Sequence, residues 1–356
     1  MLKKQMLPPQ GKGLDGIQAL RFMAAMLVVA LHAVEALVSH GEKISLWNGG
    51  SIGVDIFFVI SGFVMALTTA HHPQGWRARG NAALSFCRRR LTRLLPLYWF
   101  YTLLKLFSVI LLPTLVIRTT LVPWHVVASF LLIPVMAPWG QVQPVLPVGW
   151  TLCLELFFYA IFALAILLAA PRLLFCLSVF LLVSLLHRWM PDVVALAFYQ
   201  HIMVYDFALG IFIAWAWKKS AGIPIIFPVL ALFPALFSII RMFDVTAGQL
   251  YIVHGLSAGA LVWGVAVLEP AWQKCRFLAW ARHLGDASYS TYLSHAFVVP
   301  VTVMLAIDYW SPAVTLPLVL AVCALAGSVS FRFIEKPMID VFHSGYRRAA
   351  VRAGSS

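Results

Sequence analysis

Charge is what this sequence has least of. Only 11% of its 356 residues are charged, against about 25% in an average soluble protein. Acidic residues are the scarcer sign: 13 Asp and Glu stand against 26 Lys and Arg, a formal net charge of +13. Cysteine is sparse too. Cys87, Cys153, Cys176, Cys275 and Cys323 form no CxxC pair, which argues against a disulfide framework and against a zinc or other metal site. No convincing small-residue cleavage site follows the first apolar run, so that run is expected to be a retained span and not a removed leader. Internal repeats and low-complexity tracts are also missing, which leaves an inverted-repeat transporter without support.

What is present is apolar. Hydrophobic residues make up 62% of the chain and the mean hydropathy is +0.90. Runs near 20 residues recur, the length of a spanning helix, where a membrane barrel would show short alternating segments. The sequence therefore predicts an all-α polytopic membrane protein with about ten spans, at 16–38, 51–70, 94–113, 149–169, 171–190, 198–217, 222–240, 247–268, 288–307 and 311–331. The stretch Trp124 to Ala137 is too short to cross and is interrupted by Pro134, so it is expected to be an interfacial or re-entrant helix. The expected division is a cytoplasmic segment over 1–15, one transmembrane domain over 16–338 and a basic cytoplasmic tail over 339–356.

Basic residues test the count. With ten alternating spans and the N-terminus inside, 20 of the 26 Lys and Arg fall on the cytoplasmic side and four on the other, with Arg21 and Lys105 inside spans. That asymmetry is the positive-inside pattern, and it puts both termini in the cytoplasm. A surplus of positive charge that would suggest nucleic acid in a soluble protein is here loop charge that sets topology. Membrane lipids are expected partners and nucleic acid is not.

Ionisable groups at membrane depth are costly and mark function more often than chance. In the first span, Arg21 and His32 are eleven residues apart, about 20° beyond three full turns, so they share one helix face about 16 Å apart along the axis. Glu35 is one turn beyond His32 and within reach of it. Asp55, Glu155 and His254 are expected at a similar outer depth, so His32 and a carboxylate could meet as a general base and its orienting partner. The competing reading for Asp55 and Glu155 is structural pairing to a neighbouring helix, and for Glu35 and His254 plain helix packing is the simpler reading. On the cytoplasmic side, Arg90 and Arg93 at i, i+3 face the same way. They suit either lipid-phosphate anchoring or a polyanionic cosubstrate held by bidentate guanidinium contacts. Ser288, Tyr292 and His295 form a polar stripe on the ninth span, read either as interhelical hydrogen bonding or as the lining of a cosubstrate channel.

Six segments together resemble the integral-membrane acyltransferase 3 family. They are Leu14 to Arg21 running on to His32, Gly53 to Phe63, Arg90-Leu91-Thr92-Arg93 with Pro96, Gly149 to Glu155 with Phe158-Tyr159, Gly285 to His295, and Phe331 to Pro337. The resemblance covers roughly 14 to 338, and its first segment is similar to the exopolysaccharide acetyltransferase branch. Cys153 departs from the family pattern, where Ser or another small residue is more usual.

The resemblance implies a bacterial inner-membrane enzyme of about ten helices. Such an enzyme takes an acyl group, usually acetyl, from cytoplasmic acyl-CoA and passes it to a sugar hydroxyl of a surface or secreted polysaccharide or its lipid-linked precursor. It also implies an arginine, ten residues and a histidine in the first span, fitted by Arg21 and His32, and an R-x-x-R, fitted by Arg90 and Arg93. The appended hydrolase-like domain of some members is not expected here. The expected catalytic residues are His32, Glu155 and Asp55, with Arg21, Arg90, Arg93, Tyr292 and His295 lining the cosubstrate route. Acyl-CoA enters as cosubstrate, with no permanently bound cofactor. Direct transfer and an acyl-histidine intermediate fit these residues equally. The rival readings are a transporter or flippase of a lipid-linked glycan, a structural subunit of an envelope complex, and acylation of a small molecule.

Overall fold

In the computed structural model the described residues are 14–69, 73–111, 121–241, 247–273 and 276–342. Among them the chain is helical, with one isolated antiparallel bridge, Met136 with Val142, and no named strand. Fifteen α-helices follow in order among the described residues: α1 Asp15–Ser39, α2 Ile52–Thr68, α3 Trp76–Leu111, α4 Pro123–Phe130, α5 Trp150–Leu167, α6 Arg172–Trp189, α7 Val194–Tyr199, α8 Val204–Lys218, α9 Ile226–Leu230, α10 Phe233–Arg241, α11 Ala247–Val267, α12 Glu269–Trp272, α13 Arg276–Asp286, α14 Ser288–Ala306 and α15 Pro312–Ser330. A π-helical turn, Phe331–Glu335, continues α15.

Eight stretches among the described residues are long and apolar enough to cross a membrane: Asp15–Ser39, Gly49–Thr68, Trp76–Leu111, Pro147–Leu167, Arg172–Trp189, Val194–Lys218, Ser288–Ala306 and Pro312–Phe342. Two shorter apolar helical stretches, Ile226–Ile240 and Tyr251–Val267, stand where two further spans were expected. The first of these is broken. Pro228 lies inside α9 and Pro234 is the second residue of α10, and each proline removes a backbone donor and resists a continuous helix. The eight long stretches coincide with eight of the ten expected spans.

Two other elements differ from the sequence pattern. The span expected at 94–113 is the distal part of the 36-residue α3, about 54 Å long at 1.5 Å per residue, well beyond the roughly 30 Å of a hydrocarbon core. The basic stretch from Arg77 to Arg93 is thus one helical arm and not a loop. The short element expected over 124–137 is helical only over α4, after which Leu132 turns at φ 55°. This region is tied down by hydrogen bonds instead. Tyr98 Oη donates to the Ser129 carbonyl at 2.8 Å, Trp99 Nε1 to the Phe130 carbonyl at 2.9 Å, and the Val145 amide to Ser129 Oγ at 2.9 Å.

Helix α1 packs against α2, α11, α13, α14 and α15. Its N-terminal amides, which have no partner inside the helix, are met in trans by the carboxylate of Glu269. Asp15 N lies 2.7 Å from Oε1 and Gly16 N 3.0 Å from Oε2. Arg282 adds a 3.4 Å ion pair to Asp15, and Gln18 donates to Asp286 at 3.1 Å. One end of α1 is therefore fixed in depth and rotation, which matters for every polar residue it carries. Helices α2 and α8 cross closely because of two glycines: a Cβ on Gly62 would strike the Phe207 carbonyl, and one on Gly210 the Val59 carbonyl. Without competing water, such backbone contact is how membrane helices associate. Outward-facing apolar residues, such as Leu174 at 63% exposure and Leu181 at 57% on α6, give the surface expected against lipid tails.

The crossing of α2 and α8 is open to test. Gly62→Leu is expected to force them apart and to cost about 1–3 kcal/mol, the usual overpacking range, seen as a lower thermal midpoint in detergent. Gly80→Ala on α3, where the nearest atom to an added Cβ is 4.0 Å away, is expected to be neutral. Equal midpoints for both variants would refute the tight crossing.

Candidate active site

Apart from Glu269 at the start of α1 and His125 on α4, three sets of ionisable groups stand out in this bundle. The first is built on α1 and α14. His32 Nδ1 lies 2.8 Å from Glu35 Oε2, one turn further along α1, and both side chains are partly open, at 40% and 49% exposure. The ring of His32 stacks on that of His295, with centroids 5.2 Å apart and planes inclined by 15°. His295 is 1% exposed, and neither ring nitrogen has a well-formed hydrogen bond among the described residues. One turn before it, Tyr292 has its ring centroid 5.5 Å from His295. Tyr292 Oη donates to the Val148 carbonyl at 3.1 Å and lies 2.8 Å from Thr151 Oγ1. Phe57 packs edge-on against the same tyrosine, with centroids 6.0 Å apart.

The second set surrounds Arg21. The charges of Arg93, Glu335, Glu155 and Asp286 all act on its guanidinium, and Arg21 Nη1 donates to Gln18 Oε1 at 3.2 Å. Arg90 shares this neighbourhood with Tyr159, Arg93 and Glu155, and its guanidinium also lies 5.8 Å from the Phe86 ring centre. Glu155 Oε1 accepts from Ser61 Oγ at 3.0 Å and from the Tyr159 hydroxyl. Glu335 Oε2, in the π-helical turn, accepts from Ser290 Oγ at 2.6 Å. Three guanidiniums thus lie within electrostatic reach of two carboxylates, and Arg93 is exposed at the rim. A surplus of guanidinium at an open rim suits an anionic ligand.

The third set joins α2, α8 and α11. Asp55 and His254 are fully buried, with His254 Nδ1 3.8 Å from Asp55 Oδ2 and 3.2 Å from Ser51 Oγ. Asp206 faces Asp55 from α8 and is 6% exposed.

The expected outer layer of His32, Asp55, Glu155 and His254 is therefore divided among all three sets. Glu35, for which helix packing was the simpler reading, is the carboxylate at His32. Glu155 lies deeper than expected, for a helical reason. Thr151 in the first turn of α5 already meets Tyr292, so Glu155, four residues on and on the same face, points about 6 Å further into the bundle. There it meets Ser61, Tyr159 and the arginines. Asp55 turns away from α1 because Gly53 is the residue that packs there: a Cβ on it would strike the Ala24 carbonyl. Arg90 and Arg93 come together as their spacing suggested, Arg21 joins them, and Tyr292 and His295 lie between that set and His32.

Sequence reasoning missed Glu335, Tyr159 and Asp206. The first two stood inside quoted segments, and Tyr159 at i+4 from Glu155 was a usable signal. Nothing in the sequence pointed to Asp206. Among the described residues no group of three or more His, Cys, Asp or Glu is arranged to hold a metal ion.

The Acyltransferase domain family matches residues 14–333. The "Exopolysaccharide production protein ExoZ" of Rhizobium meliloti (strain 1021) is 32% identical over 305 residues, covering 82% of this chain and 90% of ExoZ. "O-acetyltransferase OatA" of Staphylococcus aureus (strain NCTC 8325 / PS 47) is 26% identical over 369 residues, covering 95% of this chain and 58% of OatA. "Acyltransferase MdmB" of Streptomyces mycarofaciens is 31% identical over 98 residues, covering 26% of this chain and 23% of MdmB. No solved structure matches.

The separation of Glu35 from Glu155 predicts different costs for their loss. Glu155→Ala leaves the Ser61 and Tyr159 hydroxyls without their acceptor, for which about 1–3 kcal/mol is typical. Glu35→Gln at a half-exposed pair is expected to cost about 1 kcal/mol or less. Thermal midpoints of the two purified variants compare these directly, and similar losses would refute the separation.

Proposed function

This chain belongs to the Acyltransferase domain family, and from that premise we propose that it is a multi-pass membrane O-acyltransferase acting on polysaccharide. In this reading it moves an acyl group, most simply acetyl, from cytoplasmic acyl-CoA to a hydroxyl of a cell-surface or secreted polysaccharide or its lipid-linked precursor. The names of ExoZ and OatA support the acceptor class and the O-acetyl chemistry. The eight long apolar stretches support a multi-pass membrane protein, and the positive-inside pattern supports a reading with ten spans in a bacterial inner membrane and both termini in the cytoplasm. The transferase domain is then 16–338, followed by a basic cytoplasmic tail.

One observation carries the proposal. A line of polar groups runs along the bundle, from the exposed Arg93 past Arg21 and Glu335 to Tyr292, His295, His32 and Glu35. A structural protein has no use for such a line, since each ionisable group at membrane depth costs free energy. In the proposed reaction the phosphates of acyl-CoA bind Arg90 and Arg93, where planar guanidinium forks match phosphate oxygens. The pantetheine arm follows Arg21 and the Ser290–Glu335 pair, and the acyl group arrives beside the two histidines.

His32 acts as general base. Glu35 accepts from Nδ1–H, which fixes the tautomer with Nε2 free and stabilises the imidazolium that forms. Nε2 takes the proton of the acceptor hydroxyl, whose oxygen attacks the acyl carbonyl. The partial exposure of His32 and Glu35 suits an acceptor that enters from outside. In this scheme Glu155 holds the arginines that bind the donor, and Asp55 belongs to the packing of α2 against α8 and α11.

The test compares O-acetyl groups on surface polysaccharides in wild type, a deletion strain, and the deletion strain carrying His32→Ala at equal membrane abundance. Acetyl is expected to be lost in the deletion and not restored by His32→Ala. Loss of a general base lowers turnover about 10²–10⁴-fold. Full restoration by His32→Ala would remove His32 from the chemistry. An unchanged acetyl pattern in the deletion would point to another acyl group, a small-molecule acceptor, or a glycan flippase.

A further inference from the structure

The two stacked histidines have opposite surroundings. His32 is 40% exposed and bound to a carboxylate. His295 is 1% exposed with no carboxylate bound to it among the described residues, and the carbonyls of Thr291 and Tyr292 on its own helix are the acceptors that lie close to it. One ring nitrogen of the uncharged imidazole can lean its N–H on those carbonyls, which leaves a lone pair free on the other. One base with its orienting carboxylate is enough for direct transfer from a thioester to a hydroxyl. A second, buried imidazole with only the carbonyls of its own helix close to it adds nothing to that step, and it is costly to bury as mere packing. Its place is also directional. His295 lies between His32 and Tyr292, on the side of the arginine set.

We propose that His295 is the nucleophile of a two-histidine relay, taking the acyl group from acyl-CoA before His32 activates the acceptor. This rests on the donor reading above and decides between the direct and covalent routes. In the first half-reaction the free lone pair of His295 attacks the thioester carbonyl. The N–C bond forms, the C–S bond breaks with its electron pair on sulfur, and the remaining ring proton leaves with the thiolate as CoASH. In the second half-reaction His32 removes the acceptor proton and the hydroxyl oxygen attacks the acyl carbon. The C–N bond then breaks with its pair on the His295 nitrogen, and the proton held by His32 passes to the His295 ring. The sum is acyl-CoA plus alcohol giving ester plus CoASH, with both histidines restored. A neutral nucleophile activated by its setting is the general pattern of covalent catalysis. The division keeps each half-reaction on one side of the stacked rings.

The full-length protein in lipid nanodiscs tests this by isotope exchange. Labelled CoA and unlabelled acetyl-CoA are supplied without polysaccharide, and label is followed into acetyl-CoA. Exchange requires reversible formation of an acyl-enzyme. Wild type is expected to exchange. His32→Ala is expected to keep the exchange half-reaction while losing transfer to polysaccharide. His295→Gln is expected to lose both by at least about 100-fold, with acetyl-CoA binding and thermal midpoint like wild type. His295→Asn serves if the Gln variant does not fold. Acid-quenched protein should carry the acetyl group at His295. Transfer to polysaccharide by wild type without exchange would overturn the relay and leave the acyl-CoA reading standing, as would full transfer by His295→Gln or label found on His32. Failure of wild type to bind acetyl-CoA at all would overturn both.

Discussion

Everything polar in this molecule answers to one constraint: a charged or hydrogen-bonding group inside an apolar bundle must find a partner or carry its full desolvation cost. With 13 acidic residues in 356, carboxylates are few, and four of them show the constraint directly. Glu269 satisfies the free amides that begin α1, Glu155 and Glu335 sit among guanidiniums, and Glu35 meets His32. The same economy explains why α1 is central. Anchored by Glu269, Arg282 and Asp286 at one end, it cannot slide or rotate without breaking these contacts. Arg21 and His32 are therefore held at fixed depths on one face.

What could be read in the sequence was periodic or one-dimensional. Run length gave eight of the long helical stretches, charge asymmetry gave a direction, and 100° per residue put Arg21 and His32 on one face of α1. What could not be read was the depth at which each helix enters. Counting from Gly149 put Glu155 near the outer surface, but the turn at Pro147–Gly149 is already sunk to where Val148 and Thr151 meet Tyr292. An error of about one helical turn moved a presumed partner of His32 into the arginine set. The direction in which Asp55 points was hidden for a similar reason: it depends on Gly53 being the residue that lets α1 approach. Glu35 was legible, since i,i+3 neighbours on a helix face can always meet, but nothing local ranked it above a carboxylate from another helix.

The set of Asp55, Asp206 and His254 shows the constraint in a setting apart from the proposed chemistry. These residues lie near the N-terminal ends of α2 and α8 and in the early part of α11, beside the crossing that Gly62 and Gly210 make possible. The spacing of α2 and α8 is set by backbone contact, so the carboxylates that face each other across it have little freedom to separate. A buried polar set of this kind favours one register of three helices over its neighbours, because a shift leaves each member without its partner.

A membrane enzyme that moves an acyl group across its own thickness must pass the acyl group without passing water or ions. The polar line answers this by changing character along its length. At the end proposed for the donor it is charged and open, with Arg93 exposed. In the middle it narrows to Tyr292, held by Thr151 and Val148 and covered edge-on by Phe57, followed by a fully buried imidazole. Beyond the stacked rings it opens again at His32 and Glu35. A continuous aqueous path would put water beside a reactive acyl carbonyl, where it competes with the acceptor hydroxyl. Two flat rings in contact exclude water and still let a ring nitrogen on either face reach its own substrate. The closed middle and the two open ends are thus a single requirement of the proposed reaction, and the stacked pair is where the two sides meet.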